Sequence, residues 1–192
     1  DGPATLSIAY QWYADGVAIA GATGSTLALG QAQVGKTISV VASYTDAFGT
    51  DESVTSAATA AVANVNDVPT GVVTISGSAT QGQTLTAGNT LADDDGPATL
   101  SIAYQWYADG VAIGGATGST LALGQAQVGK TITLTASYTD AFGTDESVTS
   151  AATAAVANVN DLPTGVVTIS GSATQGQTLT ASNTLSDIDG PA

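Results

Sequence analysis

The clearest pattern of apolar and polar positions covers residues 131–139, where Ile132, Leu134, Ala136 and Tyr138 alternate with threonine and serine. Residues two apart lie on the same face of a β-strand, so this alternation predicts a strand with one face in a core and the other in solvent. The same pattern occurs 94 residues earlier, at Ile38, Val40, Ala42 and Tyr44.

Similar short segments occur throughout residues 67–160. Trp106 lies two residues after Tyr104 in such a segment, which places both on one face and makes the tryptophan the largest predicted core side chain. Asp109 and Gly110 form a hairpin signal after it. We predict seven strands, at residues 71–76, 83–91, 100–107, 111–113, 119–123, 131–139 and 148–157. Seven short strands with a tryptophan on the third predict an all-β, immunoglobulin-like sandwich.

The chain is a tandem repeat with a period of 94 residues, and the two copies differ at eight positions. A unit of this length is the size of an independent domain, which favours a row of modules over a continuous solenoid. The joints are the nearly identical segments 64–71 and 158–165, each with one proline. We therefore expect a module without its first two strands at 1–66, a complete module at 67–160, and the first two strands of a third at 161–192.

The charge is strongly acidic, with sixteen acidic residues, only Lys36 and Lys130 as bases, and a net charge of -14. This balance argues against nucleic acid or anionic lipid as a partner and favours cations. The sequence contains no apolar run long enough to span a membrane, so no membrane insertion is predicted. Cysteine and histidine are absent, which removes disulfides, thiol nucleophiles, zinc ligands and the usual general base, so no enzyme is predicted.

The acidic residues are unevenly placed. If successive strands run antiparallel, seven of the eight acids between residues 67 and 160 lie at one end of the complete module, and Asp109 lies at the other. Asp109 and Asp15 each precede glycine and read as turn formers. For the run 93–95, turn chemistry and solubility remain an alternative. Three adjacent carboxylates facing a second acidic loop, with Asp140, Asp145 and Glu146, nevertheless favour calcium, which binds six to eight oxygens. The predicted ligands are Asp1, Asp46, Asp51, Glu52, Asn66, Asp67, Asp93, Asp94, Asp95, Asp140, Asp145, Glu146, Asn160, Asp161, Asp187 and Asp189.

Several motifs point to a known family. They are V-T-I-S-G at 73–77, G-Q-T-L-T-A at 82–87, Y-Q-W at 104–106, V-G-K-T-I at 128–132 and N-V-N-D at 158–161. Together they resemble the immunoglobulin-like extender repeats of giant bacterial RTX-type adhesins, and the joint also resembles the cadherin linker. The resemblance implies calcium-stiffened spacers on an extracellular bacterial surface. Asn158 and Leu162 depart from the cadherin linker, so its ligand set is not carried over, and the glycine-rich RTX nonapeptide is absent.

We expect a structural spacer that holds an adhesive tip away from the cell, with neighbouring repeats of the same protein as its partners. A module whose loops recognise glycans or cell-surface partners is the alternative, and it predicts loops that vary between copies. Residues 161–192 also carry the two strands that residues 1–66 lack. Two alternatives remain open: a head-to-tail assembly by strand complementation, or a longer chain that supplies the same strands covalently.

Overall fold

The computed structural model describes residues 6–96 and 101–190. These residues fall into two compact units divided between Val68 and Pro69, within the first joint. Both units are built from antiparallel strands, and the described helical segments are the 3-10 turns Gln31–Gln33 and Gln125–Gln127. Two predicted residues, Asp1 and Leu100, lie outside the described part of the chain.

The first unit contains a four-stranded antiparallel sheet with the order β2-β1-β3-β4. Its strands are β1 (Ala9–Ala14), β2 (Val17–Ala18), β3 (Ile38–Thr45) and β4 (Asp51–Thr55). Ile38 is buried, but Trp12, Val40, Ala42 and Tyr44 are only half-buried. The predicted alternation thus forms a strand here without a closed core over all of its apolar face.

The second unit contains a complete pair of sheets. In chain order its strands are β5 (Val73–Ser76), β6 (Thr84–Asn89), β7 (Ala103–Ala108), β8 (Val111–Ala112), β9 (Thr120–Ala122), β10 (Ile132–Thr139), β11 (Asp145–Thr149), β12 (Val167–Ser170) and β13 (Thr180–Asn183). One sheet has the order β5-β6-β9 and the other β11-β10-β7-β8. These orders are those of an immunoglobulin-like fold, in which the first, second and fifth strands face the third, fourth, sixth and seventh.

The core between these two sheets confirms the all-β sandwich. Leu85 comes from one sheet, Trp106, Ile132 and Leu134 come from the other, and all four side chains are fully buried in one cluster. The alternation in β10 is as predicted, because its four apolar residues are buried and the polar residues between them are half-buried. Trp106 also donates its indole N–H to the Gly118 carbonyl at 2.9 Å.

The last strand of this sandwich differs from the prediction of 148–157. The regular ladder with β10 begins at Asp145 and ends at Thr149. Beyond it, the hydroxyls of Ser150 and Thr153 accept the N–H groups of Leu134 and Ile132, while their own N–H groups bond to the carbonyls of those residues. Side-chain oxygens thus replace backbone carbonyls as acceptors, and a regular strand does not continue.

The strands β12 and β13 form a two-stranded antiparallel sheet that repeats the pairing of β5 and β6. Val167 is 65% exposed, whereas its counterpart Val73 is 5% exposed inside the sandwich. The sequence V-T-I-S therefore forms an exposed strand in β12 and a strand that contributes to the core in β5.

Candidate metal sites at the module ends

Two acidic loops meet at one end of the sandwich. The loop after β6 carries Asp93, and the Tyr138 hydroxyl at the end of β10 donates a hydrogen bond to its Oδ2. The loop after β10 approaches from the other side, where the Ala141 N–H donates to the Asp95 carbonyl at 3.0 Å. The structure thus brings together the two loops that the antiparallel strand order places at one end.

The first loop is a tight turn stabilised by its own carboxylate. Asp93 Oδ1 accepts the N–H of Asp95 at 2.9 Å, and the Gly96 N–H donates to the Asp93 carbonyl. Asp95 is 1% exposed, so its carboxyl group is buried at this end of the core. Asp94, between them, is exposed. The same turn occurs in the third copy, where Asp187 Oδ1 accepts the N–H of Asp189 at 2.9 Å.

Asp140 in the second loop has one bonded and one unbonded oxygen. Its Oδ1 accepts the N–H groups of Phe142 and Thr144 at 2.8 and 2.7 Å, while its Oδ2 is buried without a hydrogen-bond partner. Burial raises the pKa of this carboxyl, but the Thr144 and Phe142 donors outweigh it and hold the pKa below the usual range. Its charge therefore stabilises the fold above its ordinary pKa, and this contribution is lost as the pH falls through the lowered pKa.

Asp145 and Glu146 were predicted in this loop, but they lie in β11. Asp145 Oδ1 accepts the Thr139 hydroxyl at 2.7 Å across the ladder, and Glu146 is paired with Tyr138 in the register. Burial, and after it the hydrogen bond to Asp93, raises the pKa of Tyr138 well above its ordinary value. The hydroxyl therefore remains protonated, and a donor to Asp93, at alkaline pH values where an ordinary tyrosine ionises.

The first unit repeats these arrangements. Asp46 Oδ1 accepts the N–H groups of Phe48 and Thr50, each at 2.8 Å, and Asp51 Oδ1 accepts the Thr45 hydroxyl at 2.8 Å. Glu52 lies opposite Tyr44 in the ladder. At the end of this unit, the Asn66 side-chain amide donates to the Asp67 carbonyl at 3.2 Å.

The second joint lies wholly within the second unit and shows how the end of one repeat meets the start of the next. The Asn160 amide donates to the Asp161 carbonyl at 3.0 Å. The Asp161 N–H donates to Asp189 Oδ2 at 2.8 Å, which brings the joint against the turn that also contains Asp187. The other Asp189 oxygen, Oδ1, is buried without a hydrogen-bond partner.

Two glutamines at this joint were missed from the sequence. Gln81 donates its side-chain N–H to Asp161 Oδ2 at 2.9 Å, and Gln125 Nε2 lies 3.5 Å from the Ile188 carbonyl. The Gln125 Oε1 is also buried without a partner. Both lie in the connections between strands at the end opposite the acidic run, where the antiparallel strand order would have placed them. Charge patterning did not indicate them, because both side chains are neutral.

These unbonded oxygens determine what the ends can hold. Among residues 6–96 and 101–190, no group of three or more acidic side chains is arranged to hold a metal ion by itself. A buried carboxylate oxygen without a donor is nevertheless costly, and Asp140 and Asp189 each have one. A cation here would be coordinated by one or two carboxylates together with amide and backbone oxygens, a mixture that suits calcium.

These observations define the class of the protein, an all-β protein with a sandwich of two antiparallel sheets and acidic loops at one end of that sandwich. In the described part of the chain, no helix has the length and apolar character needed to cross a bilayer. No family model and no curated protein sequence matches this chain.

Proposed function

We propose that this chain is part of a structural spacer in an extracellular bacterial surface adhesin or filament, and that calcium at the module joints stiffens it. The role is mechanical, since the repeats would set a distance and a direction between a cell and an adhesive tip. Near-identical copies suit that role, because six of the eight differences between them are conservative and none adds an aromatic or basic side chain.

The observation that best supports the proposal is the second joint. Asp161 is the first residue of the third repeat, and Gln81 of the second repeat donates its side-chain N–H to Asp161 Oδ2 at 2.9 Å. The Asp161 N–H is in turn bonded to Asp189 Oδ2, in the turn after β13. Asp189 Oδ1 and Gln125 Oε1 are both buried there without hydrogen-bond donors. A cation that bound Asp189 and Asp161 of the third repeat together with Gln125 of the second would satisfy both buried acceptors and connect two successive repeats.

The oxygen ligands favour calcium over magnesium. Calcium accepts six to eight oxygens in irregular geometry, whereas magnesium needs a near-octahedral site and gives up its waters reluctantly. The joint offers carboxylates on two separate segments, amide oxygens and carbonyls, which is an irregular set. Extracellular modules bind calcium with Kd values of roughly 0.1 to 1 mM, and we propose that range here.

Neighbouring repeats are the proposed partners. Val73 is 5% exposed because β10 and its sheet cover it, but the equivalent Val167 is 65% exposed on β12. Strands of a following repeat, or of a second copy of the chain, would cover β12 and β13 as the second sheet covers β5 and β6. Head-to-tail strand complementation stays a prediction on this basis.

A calorimetric calcium titration tests the proposal. We expect the 192-residue chain to bind calcium with a Kd of roughly 0.1 to 1 mM. Asp189→Asn removes one carboxylate of the second joint and should lower the number of bound ions while the first joint still binds. Asp94→Asn makes the same change of charge at a position where the third copy has Ile188, and it should leave the second joint's binding unchanged. No heat of binding up to 10 mM, about ten times the weakest expected Kd, would contradict the calcium part of the proposal.

A further inference from the structure

Gln81, in the loop between β5 and β6, holds the segment that leaves the sandwich. Its backbone N–H donates to the Ala157 carbonyl at 2.9 Å. Its side-chain Oε1 accepts the Val159 N–H at 3.0 Å, and its Nε2 donates to Asp161 Oδ2 at 2.9 Å. Gln81 thus bonds to residues 157, 159 and 161, which is every second residue of the segment that leaves the sandwich. In an extended chain such residues lie along the same edge.

The chemistry of this contact requires a glutamine. The side chain must accept one hydrogen bond and donate another, and only an amide group does both with fixed geometry. A glutamate would keep the acceptor for Val159, but it would lose the donor and place a second carboxylate against Asp161. An asparagine is one methylene shorter, so its amide would not reach both partners from the same backbone position.

Backbone hydrogen bonds also hold the chain on both sides of the two residues that follow Asp161. Asp161 donates its N–H to Asp189 Oδ2 at 2.8 Å. The next backbone pairing begins at Thr164, which exchanges hydrogen bonds with Ser186 at 2.7 and 2.9 Å. Only Leu162 and Pro163 separate the two, and the proline ring fixes its own φ and restricts the residue before it. Little freedom is left between the sandwich and the following sheet once Asp161 is held.

We propose that Gln81 is a joint latch, a positioning residue that sets the direction in which the following repeat leaves its module without the help of a metal ion. It fixes Asp161, and Asp161 fixes the turn after β13 through Asp189. The latch does not depend on calcium, because none of these hydrogen bonds involves a metal. It rests on the proposed function in one respect, namely that a spacer needs a fixed direction. A calcium ion would then bind a joint that is already oriented, which reduces the ordering cost of binding.

The repeat supplies a matched control. Gln175 is the same residue one period later, in the turn between β12 and β13, and it is exposed. Gln175→Ala therefore makes the same chemical change in the same local sequence without touching the second joint. Gln81→Glu is the second variant, because it preserves the size and the acceptor while reversing the interaction with Asp161.

The experiment measures the direction of the sheet β12–β13 in EDTA. The chain has no cysteine, so spin labels can be attached at cysteines introduced at the exposed positions Ser147 in β11 and Ala181 in β13. We expect a narrow distance distribution between the labels for the otherwise unchanged chain and for Gln175→Ala. Gln81→Ala and Gln81→Glu should each broaden it. An equally narrow distribution for Gln81→Ala in EDTA would overturn the latch.

Hydrogen exchange gives an independent second measurement. Gln81→Ala should speed exchange of the Val159 amide by roughly three- to tenfold, the effect of losing one hydrogen bond, while Gln81→Glu should keep its protection. A peptide that contains Leu162 differs in mass from its counterpart with Val68, so the second joint can be followed separately. Unchanged Val159 exchange in Gln81→Ala would contradict the contact on which the latch depends.

Adding calcium to the same samples separates the two proposals. If calcium changes the distance distribution of no variant, but the distribution of Gln81→Ala is still broader than that of Gln175→Ala, the calcium part of the proposed function fails and the latch stands. If calcium narrows every distribution and Gln81→Ala already matches the control in EDTA, the latch fails and the calcium-stiffened joint stands.

Discussion

Replacing Trp106 with alanine should lower the free energy of unfolding of the second unit by about 3 to 5 kcal/mol, the range for truncating a fully buried aromatic side chain. Trp106 is fully buried among residues of both sheets, so the change would leave a large cavity. It would also leave the Gly118 carbonyl without its indole donor. Denaturant unfolding followed by circular dichroism would measure the loss.

Trp12→Ala is the matched control for this prediction. Trp12 has the same neighbours in sequence and the same bond, from its indole N–H to the Gly24 carbonyl at 2.9 Å, but it is only half-buried. Folding removes less apolar area of Trp12 from water than of Trp106. Trp12→Ala should therefore lower the free energy of unfolding by clearly less than Trp106→Ala does. Equal losses in the two variants would show that the difference in burial between the two units does not exist in solution.

Gly71→Ala should lower the free energy of unfolding of the second unit by roughly 2 to 5 kcal/mol, from backbone strain and steric overlap together. Gly71 has φ of 89°, in the region that favours glycine, and an added Cβ would lie 2.2 Å from the Thr90 carbonyl oxygen. That oxygen belongs to the backbone just after β6, where the Thr90 N–H is bonded to the Val72 carbonyl at 3.0 Å, so it cannot move aside without disturbing this hydrogen bond. Thermal unfolding of the variant measures the cost.

The control separates backbone strain from steric overlap. Gly82 has a similar φ of 79°, but an added Cβ there would meet no atom within 4 Å. Gly82→Ala should therefore cost only the strain of the left-handed conformation, about 1 to 2 kcal/mol. A Gly71→Ala variant no less stable than Gly82→Ala would contradict the close approach of these two strands.

The strands were predictable where one face of a segment is buried and the other is not. Residues 131–139 alternate over their full length, so both the type and the inward face of β10 were readable from the sequence. The end of β11 was not, because Ser150 and Thr153 use their hydroxyls as acceptors in place of backbone carbonyls. Such a substitution depends on the neighbouring strand, which a local pattern does not contain.

The low burial of apolar side chains in the first unit could not be predicted from the sequence pattern either. Trp12 and Trp106 are in the same local sequence, and the pattern predicts the same face for both. Their exposure differs because the sheet β5-β6-β9 covers Trp106, and in the described residues of the first unit only one sheet is formed. Sequence periodicity indicates which side chains face a core, but it does not supply the second sheet.

The candidate site was partly predictable. Antiparallel strand order placed the loops of Asp93 and Asp140 at one end, and the structure brings those loops together. Gln81 was overlooked because it is neutral and its partner Asp161 is 80 residues away in sequence. Charge patterning detects carboxylates that repel one another, but it does not detect the amide that holds one of them in place.

Small-angle X-ray scattering of the 192-residue chain in calcium and in EDTA tests the central claim, a spacer whose joints calcium stiffens. With 1 mM to 10 mM calcium, at or above the Kd of roughly 0.1 to 1 mM, the distance distribution should be that of an extended rod with a defined maximum dimension. In EDTA it should broaden, because the first joint has no counterpart of Gln81 in the 192-residue chain and depends on calcium. Calcium should restore the distribution. Identical distributions in calcium and in EDTA, or a compact particle in both, would contradict the account.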